Sequence, residues 1–321
     1  METFIIMLKN VAVFVLLAVP GFLFVKCKIA KNSDTGILSK LLMYVGLPFL
    51  IIKSTLNIDF DETTIKSLLL SLAIGVVYYV VLLFVSKFIA GKGGTEKQKG
   101  MVRFCSIFSN NGFLGIPLAE AVFKDSIIPN GKLIVLCLIV LNIITNMLMY
   151  MFGIGMVASE KKKVSVKKII TNPVLIAFVI GLVLNLLNVN KHLEEVKTYS
   201  NNLAGLVTPV SMIIIGMKLG GIKFSSLFTN KKAYYVSFIK LICVPVVIVG
   251  ILFVLRLFLP ISSELIIATF VAFAMPTAGL ASTFADCNDG DTENAVIFTL
   301  GTTLFSVLTI PLLYLLLTSI I

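Results

Sequence analysis

Apolar residues dominate the chain in ten long runs, and short clusters of charged residues separate one run from the next. About 20 consecutive apolar residues form a helix that can cross the roughly 30 Å hydrocarbon core of a bilayer. The pattern therefore predicts an all-α polytopic membrane protein with ten transmembrane helices and short loops. The predicted spans cover residues 5–26, 36–57, 65–90, 101–124, 131–158, 170–189, 199–219, 232–258, 262–286 and 294–318.

The fourth predicted span contains a stretch, Phe108–Phe123, whose composition does not suit a continuous helix. Its sequence, FSNNGFLGIPLAEAVF, holds two adjacent asparagines, two glycines and Pro117. Inside a bilayer, freed backbone groups are tolerated only where they face protein or a water-filled cavity. We therefore predict a discontinuous helix that lines a binding site, with Pro117 in the first turn of its second half. The alternative is a continuous helix with a proline kink.

Prolines recur at nearly the same spacing in the two halves of the chain, which indicates an internal repeat. Pro48 and Pro117 lie in spans two and four, and Pro209 and Pro276 lie in spans seven and nine. Five spans per copy is an odd number, so the second copy is expected to be inverted, with helices four and nine broken and crossing. Inverted repeats with interrupted helices are typical of secondary transporters with a site near the membrane midplane. The predicted units are residues 1–158, a cytoplasmic linker at 159–169, and residues 170–321.

Basic residues are concentrated in alternate loops, at positions 26–40, 87–103, 161–168 and 218–240. The positive-inside rule places these loops in the cytoplasm and both termini outside the cell membrane. The loop Asp286–Glu293 belongs to the same side although it is acidic, because acidic residues carry little topological weight.

The two predicted breaks favour the binding of a small organic anion. The second halves, starting at Pro117 and Pro276, would direct the positive ends of their dipoles and unpaired N–H groups into one region. No Lys or Arg lies at mid-span in either segment, so amides and dipoles would hold a carboxylate there. The candidate substrate-binding residues are Asn110, Asn111, Gly112, Gly115, Pro117, Pro276, Thr277 and Gly279.

Three further polar residues lie in predicted spans and have two interpretations each. Glu120 is a candidate proton or cation relay for coupling, or a side chain that reaches the outer interface near Lys124. Asn142 and Asn146 lie one helical turn apart in span five. They border the substrate site, or they form hydrogen bonds to a neighbouring helix.

Composition excludes several other functions. The chain has 321 residues, of which 58% are hydrophobic and 13% charged, against roughly 25% charged in a soluble domain. The net charge of +11 comes from the basic clusters in the loops. The chain has no Trp and no aromatic platform of the kind that binds nucleic acid. No catalytic, nucleotide-binding or metal-ligand motif is found, so we expect neither an enzyme nor a cofactor. Coupling to sodium is compatible with the sequence, since backbone carbonyls and Asn or Thr oxygens can hold sodium without a motif, and coupling to protons would use Glu120.

Four motifs together resemble the auxin efflux carrier family, whose bacterial members include malate and malonate permeases. They are YVGLPFL in span two, NNGFLGIP in span four, FAMPTAGLASTFA in span nine and GTTLFSVLTIPLL in span ten. The resemblance implies two inverted five-helix repeats that cross at Pro117 and Pro276, beside Asn110, Asn111 and Gly112. It also implies a scaffold of spans 1, 2, 6 and 7, often a homodimer, and a transport core of spans 3–5 and 8–10 that moves as an elevator.

We therefore expect a secondary transporter of small organic anions, with auxin-like compounds and dicarboxylates among the candidate substrates. A membrane sensor or receptor that retains a carrier fold is the alternative. Exchange of a labelled anion distinguishes the two, because a receptor binds its ligand without moving it.

Overall fold

The computed structural model describes residues 2–56, 61–91, 94–123, 130–158, 171–187, 194–222 and 225–321. These residues are almost entirely helical, and none of them forms a β-strand. The predicted linker at 159–169 lies outside the described residues, as do Lys124 and Asp125.

Twelve helical segments organise the described chain. They are α1 (Glu2–Lys26), α2 (Asn32–Leu56), α3 (Glu62–Ile89), α4 (Glu96–Ile107), α5 (Ile116–Val122), α6 (Gly131–Val157), α7 (Pro173–Leu186), α8 (Glu194–Gly220), α9 (Lys231–Leu255), α10 (Ser263–Ala274), α11 (Ala281–Cys287) and α12 (Thr292–Thr318). A π-helical turn, Asn111–Gly115, leads directly into α5, and a single helical turn at Ser226–Thr229 precedes α9.

Six of these segments are long and apolar enough to cross a membrane, namely α2, α3, α6, α8, α9 and α12. They match predicted spans two, three, five, seven, eight and ten to within a few residues. The apolar α7 and α10 are shorter, with 14 and 12 residues. The prediction of a nearly all-helical protein with several membrane-spanning helices is therefore confirmed.

Polar residues before the apolar runs set several helix starts by accepting a hydrogen bond from a first-turn N–H. Asp61 caps α3, Thr95 caps α4 and Ser262 caps α10 in this way. Asn172 caps α7, where Pro173 occupies the first turn and its missing N–H removes no helical bond. These caps lie where the charge pattern places the ends of the apolar runs.

Helices α1, α2, α7 and α8 form one group of contacts. At the crossing of α1 and α8, a side chain at Gly21 or Gly216 would overlap the backbone of the other helix, so only glycine permits this approach. Asn185 of α7 donates to the carbonyls of Thr55 and Leu56 at the end of α2, at 2.9 and 3.0 Å. These bonds satisfy carbonyls that the helix end leaves free.

A second group consists of α3, α6, α9, α10 and α12, together with the short segments α4, α5 and α11. Helix α6 packs against both α3 and α10, and α9 packs against α10 and α12. Every residue from Ile134 to Thr145 in α6 and from Leu265 to Ala274 in α10 is buried. The interrupted segments are therefore enclosed by protein, which is the setting that broken backbone requires in a membrane.

Candidate functional site

Both predicted helix breaks are present in the structure. Helix α4 ends at Ile107, and Phe108 has an extended backbone with φ −84° and ψ 125°. Helix α10 ends at Ala274, and Met275 is extended with φ −61° and ψ 146°. The extended conformation of Met275 follows from the proline after it, whose ring disfavours the helical region for the preceding residue.

The two breaks pair with each other through their backbones. Ser109 and Thr277 form an antiparallel β-bridge. The amide of Asn110 donates to the carbonyl of Pro276 at 2.8 Å, and the amide of Ala278 donates to the carbonyl of Phe108 at 2.9 Å. Each break therefore satisfies backbone groups that the other exposes, which removes much of the cost of interrupting a helix in hydrocarbon.

The two prolines differ in their place relative to the second halves. After the first break the helix resumes as the π-helical turn at Asn111, and Pro117 follows in the first turn of α5, as predicted. After the second break, α11 begins at Ala281 and Pro276 remains in the extended segment, so the prediction that Pro276 starts the second half is wrong. Pro276 tolerates this setting because no helical bond there requires the N–H that it lacks.

Pro117 leaves the carbonyl of Phe113, four residues earlier, without its helical donor. The hydroxyl of Ser211, on α8, is buried and lies 3.1 Å from that carbonyl and 2.9 Å from the carbonyl of Thr208 in its own helix, so its one proton serves two acceptors. A side chain from another helix is thus in position to replace part of the bond that the proline removes.

A small polar cavity lies beside the crossing. Its volume is about 30 Å³, room for one or two water molecules rather than for a carboxylate-bearing ligand. Its polar lining consists of Ser109, Asn110, Asn142, Thr145 and Asn146, and its apolar lining includes Met43, Leu47 and Val174. The cavity therefore lies between the group containing α2 and α7 and the group containing the breaks and α6.

Five of the predicted site residues line this cavity, namely Asn110, Gly112, Asn142, Asn146 and Gly279. A Cβ at Gly112 would stand 3.2 Å from Leu47 Cδ1 and 3.3 Å from the Asn142 side-chain oxygen, so a side chain there would force these neighbours to shift by a few tenths of an ångström. Asn146 donates to Asn142 Oδ1 at 3.1 Å, while Asn142 Nδ2 is buried without a hydrogen-bond partner among the described residues. Because Asn142 lines the cavity, its amide offers there a donor that no described group uses.

Three other predicted residues, Asn111, Thr277 and Gly115, stabilise the crossing through contacts outside the cavity. Asn111 donates to Thr145 Oγ1 at 3.0 Å, and its own side-chain oxygen is buried without a described partner. Thr277 Oγ1 donates to the carbonyl of Cys105 at 2.7 Å. Gly115 packs against Met275, to which a Cβ there would stand 3.1 Å away. These residues shape the breaks, and they do not line the cavity.

Glu120 has a partner that neither sequence interpretation included. Its carboxylate forms an ion pair with Lys53 of α2 at 2.9 Å and accepts a hydrogen bond from Ser54 at 2.9 Å. The pair joins α5 to α2, and both side chains are partly exposed. Glu120 therefore links the two groups of helices.

Two buried lysines near the crossing were misread in the sequence, where Lys218 and Lys240 were counted with the cytoplasmic loop residues. Lys240 lies inside α9 and is 0% exposed. Its ammonium contacts the hydroxyl of Ser109 and lies 3.4 Å from the carbonyls of Ile107 and Phe273. Those carbonyls belong to the negative C-terminal ends of α4 and α10, which a cation stabilises.

Lys218 lies in α8 and is 6% exposed. It donates to the carbonyl of Gly279 at 2.9 Å and to Ser282 Oγ at 2.7 Å, both beyond the second break. No acidic side chain among the described residues forms an ion pair with Lys218 or Lys240. Their positions within apolar runs were the available signal, because charged residues inside a span are functional candidates.

Tyr79 is a further residue that the sequence did not single out. Its hydroxyl lies 2.7 Å from Thr145 Oγ1, the acceptor of the Asn111 bond. Its ring stacks on Phe108 with centroids 5.9 Å apart. Tyr79 thus fixes both the first break and the threonine that orients Asn111.

Several helices long enough to span a membrane, arranged around two paired breaks and a small cavity, define a multi-pass membrane protein. The chain belongs to the family described as membrane transport protein, which matches residues 5–314 and confirms the resemblance to the auxin efflux carriers. No curated protein matches the chain. Family membership is consistent with a protein that is not an enzyme, and it gives no support to the sensor alternative.

Proposed function

We propose that the protein is a secondary transporter of small organic anions, carboxylates in particular, which works by elevator-type alternating access. The observation that carries the proposal is the charge of the crossing. Two buried lysines, Lys218 and Lys240, flank the breaks, and no carboxylate of the described residues forms a salt bridge with either of them. A buried ammonium without a salt bridge is costly, so an anion bound at the crossing would stabilise the charged form of these lysines.

The cavity supplies hydrogen-bond donors suited to a carboxylate. The side-chain amides of Asn110, Asn142 and Asn146 meet there, and Asn142 Nδ2 has no described partner. Hydrogen bonds to an ionised acceptor are about twice as strong as neutral ones. A carboxylate that replaced water in the cavity would therefore gain the donor that the protein leaves unused.

The position of the cavity supports movement of one helix group against the other. We propose ten spans in two inverted five-helix repeats, with α1, α2, α7 and α8 as the scaffold and the remaining helices as the transport core. The cavity is lined by α2 and α7 on one side and by the breaks and α6 on the other. A substrate held there would be carried with the core and released on the opposite side of the scaffold.

A homodimer in the cell membrane, with both termini outside, completes the proposal. Lys218 and Lys240 no longer count as loop residues, yet the remaining basic clusters still favour one face. The dimer rests on the family resemblance alone.

Counterflow into proteoliposomes tests the function. Protein reconstituted with an unlabelled carboxylate inside is supplied with the labelled compound outside, over a panel that includes acetate, propionate, malonate, malate and indole-3-acetate. We expect exchange of at least one anion, and Asn110→Ala to reduce it at least tenfold with the yield of folded protein unchanged. Asn201→Ala, an exposed position of α8, is the matched control and should exchange normally. Saturable binding of an anion without exchange would favour a receptor instead.

A further inference from the structure

An apolar cavity of about 100 Å³ lies between the two groups of helices. It is separate from the polar cavity at the crossing, and no described residue lines both. Met212 and Leu219 of α8 line it from the first group, and Leu118 of α5 and Ile310 of α12 line it from the second. A molecule in this cavity would therefore contact both groups.

The cavity is elongated along the helices. Its lining residues in α12 run from Leu300 to Ile310, and those in α8 run from Met212 to Leu219. At a rise of 1.5 Å per residue, these two stripes are about 15 Å and about 10 Å long. A slot of this length and volume accepts an extended chain more readily than a compact ring system.

The lining offers no free polar group to a ligand. None of the described residues that line the cavity is charged, and two of them carry a hydroxyl. Both hydroxyls already donate within α12, Thr303 to the Thr299 carbonyl and Ser306 to the Thr303 carbonyl, each at 2.7 Å. Apolar cavities stay dry and accept apolar molecules, so the chemistry of this one fits a hydrocarbon.

One side of the cavity opens on the outer surface of the helices. Leu304 of α12 is 41% exposed, whereas Leu118 and Met212 on the inner side are 1% and 3% exposed. Because α12 is long and apolar enough to cross a membrane, its exposed face meets lipid. The hydrocarbon of the bilayer is thus continuous with the cavity at Leu304, and a chain that enters there ends against α5, the half-helix that follows the first break.

We propose that this cavity binds one acyl chain of a membrane lipid, which fills the gap between the two groups of helices. A filled cavity restores the dispersion contacts that its lining would otherwise lack. The inference goes beyond the proposed function and does not depend on the substrate, since it requires only that α12 lies in a bilayer.

Photolabelling in proteoliposomes tests the proposal. The full chain is reconstituted in phosphatidylcholine that includes a phosphatidylcholine with a diazirine halfway along one acyl chain, and peptide mass spectrometry locates the lipid adducts after irradiation. We expect adducts at both Leu69 and Met212. Leu69 of α3 is 60% exposed and reports contact with the surrounding lipid. Met212 is too deeply buried to meet lipid on the outer surface, so an adduct there reports a chain inside the cavity.

Two neighbouring positions of α1 provide matched variants. Ala18 lines the cavity, whereas Val19 is exposed and is not part of the lining. Ala18→Phe places a ring in the cavity and should reduce the Met212 adduct at least tenfold. Val19→Phe adds a ring on the outer surface and should leave that adduct unchanged, and the Leu69 adduct should be the same in both variants.

Two results would overturn the proposal. One is an adduct at Leu69 of the natural protein with none at Met212, which decides the matter even if Ala18→Phe does not fold. The other is a Met212 adduct that keeps its natural yield in folded Ala18→Phe. Neither result bears on the counterflow experiment, which tests the site at the crossing.

Discussion

The hydroxyl of Ser211 is predicted to stabilise the first broken helix by replacing the hydrogen bond that Pro117 removes. Ser211 is 2% exposed, and its hydroxyl lies 3.1 Å from the Phe113 carbonyl. Without the hydroxyl, that carbonyl, which belongs to a residue lining the crossing cavity, would lose its side-chain donor, and an unpaired buried acceptor costs about 1–3 kcal/mol. An ordinary interhelical hydrogen bond in a membrane contributes only about 0.6 kcal/mol on average. We therefore expect Ser211→Ala to lower the free energy of unfolding by about 1–3 kcal/mol.

Ser306→Ala provides a matched control. Ser306 is buried to a similar degree, and its hydroxyl donates to the Thr303 carbonyl within α12, as Ser211 does to Thr208, but it has no described bond to a second helix. The N–H of Val307 remains available to that carbonyl, so no acceptor is left unpaired, and we expect a loss below about 1 kcal/mol.

The double variant identifies the physical cause. In Pro117→Ala the new backbone N–H can bond to the Phe113 carbonyl within the helix, and Ser211→Ala should then cost little. Unfolding free energies would be measured by titration with a denaturing detergent, following the labelling of buried Cys105 and Cys137 by a thiol-reactive fluorophore. The reasoning fails if Ser211→Ala costs no more than Ser306→Ala, or costs the same with and without Pro117.

Two further predictions concern packing and charge. Gly216→Ala should lower the yield of folded protein severely, because the added methyl group would overlap the α1 backbone. Gly250→Ala should be tolerated, because, apart from its chain neighbours and the backbone of its own helix, no atom lies within 4 Å of a Cβ at that position. Size-exclusion profiles of the two variants check this. Lys240→Met should still give folded protein, since an apolar side chain avoids burying an ammonium. It should reduce counterflow at least tenfold, because the C-terminal ends of α4 and α10 lose the donor that they share. Counterflow at the natural rate by Lys240→Met would show that the cation is dispensable.

The basic arrangement of the protein could be predicted from its sequence because a bilayer imposes simple rules. A helix must be about 20 apolar residues long to span it, and interrupted backbone must face protein. The long helices therefore lie where the hydropathy pattern places them, and the breaks fall within the two segments that contain Pro117 and Pro276. Asn110, Gly112 and Gly279 were identified as site residues by the same reasoning, and they line the cavity.

The partners of each residue depend on tertiary packing, which local sequence does not encode. Glu120 meets Lys53 from a helix 67 positions away, and Lys240 reaches carbonyls of two different broken helices. The positions of Lys218 and Lys240 within apolar runs mark them as candidates, but the sequence does not show which groups they contact. The sequence by itself determined that the chain crosses the membrane repeatedly and breaks twice. Only the folded structure decided that the breaks pair through their backbones and that two buried lysines lie beside them, because those contacts join residues that are distant along the chain.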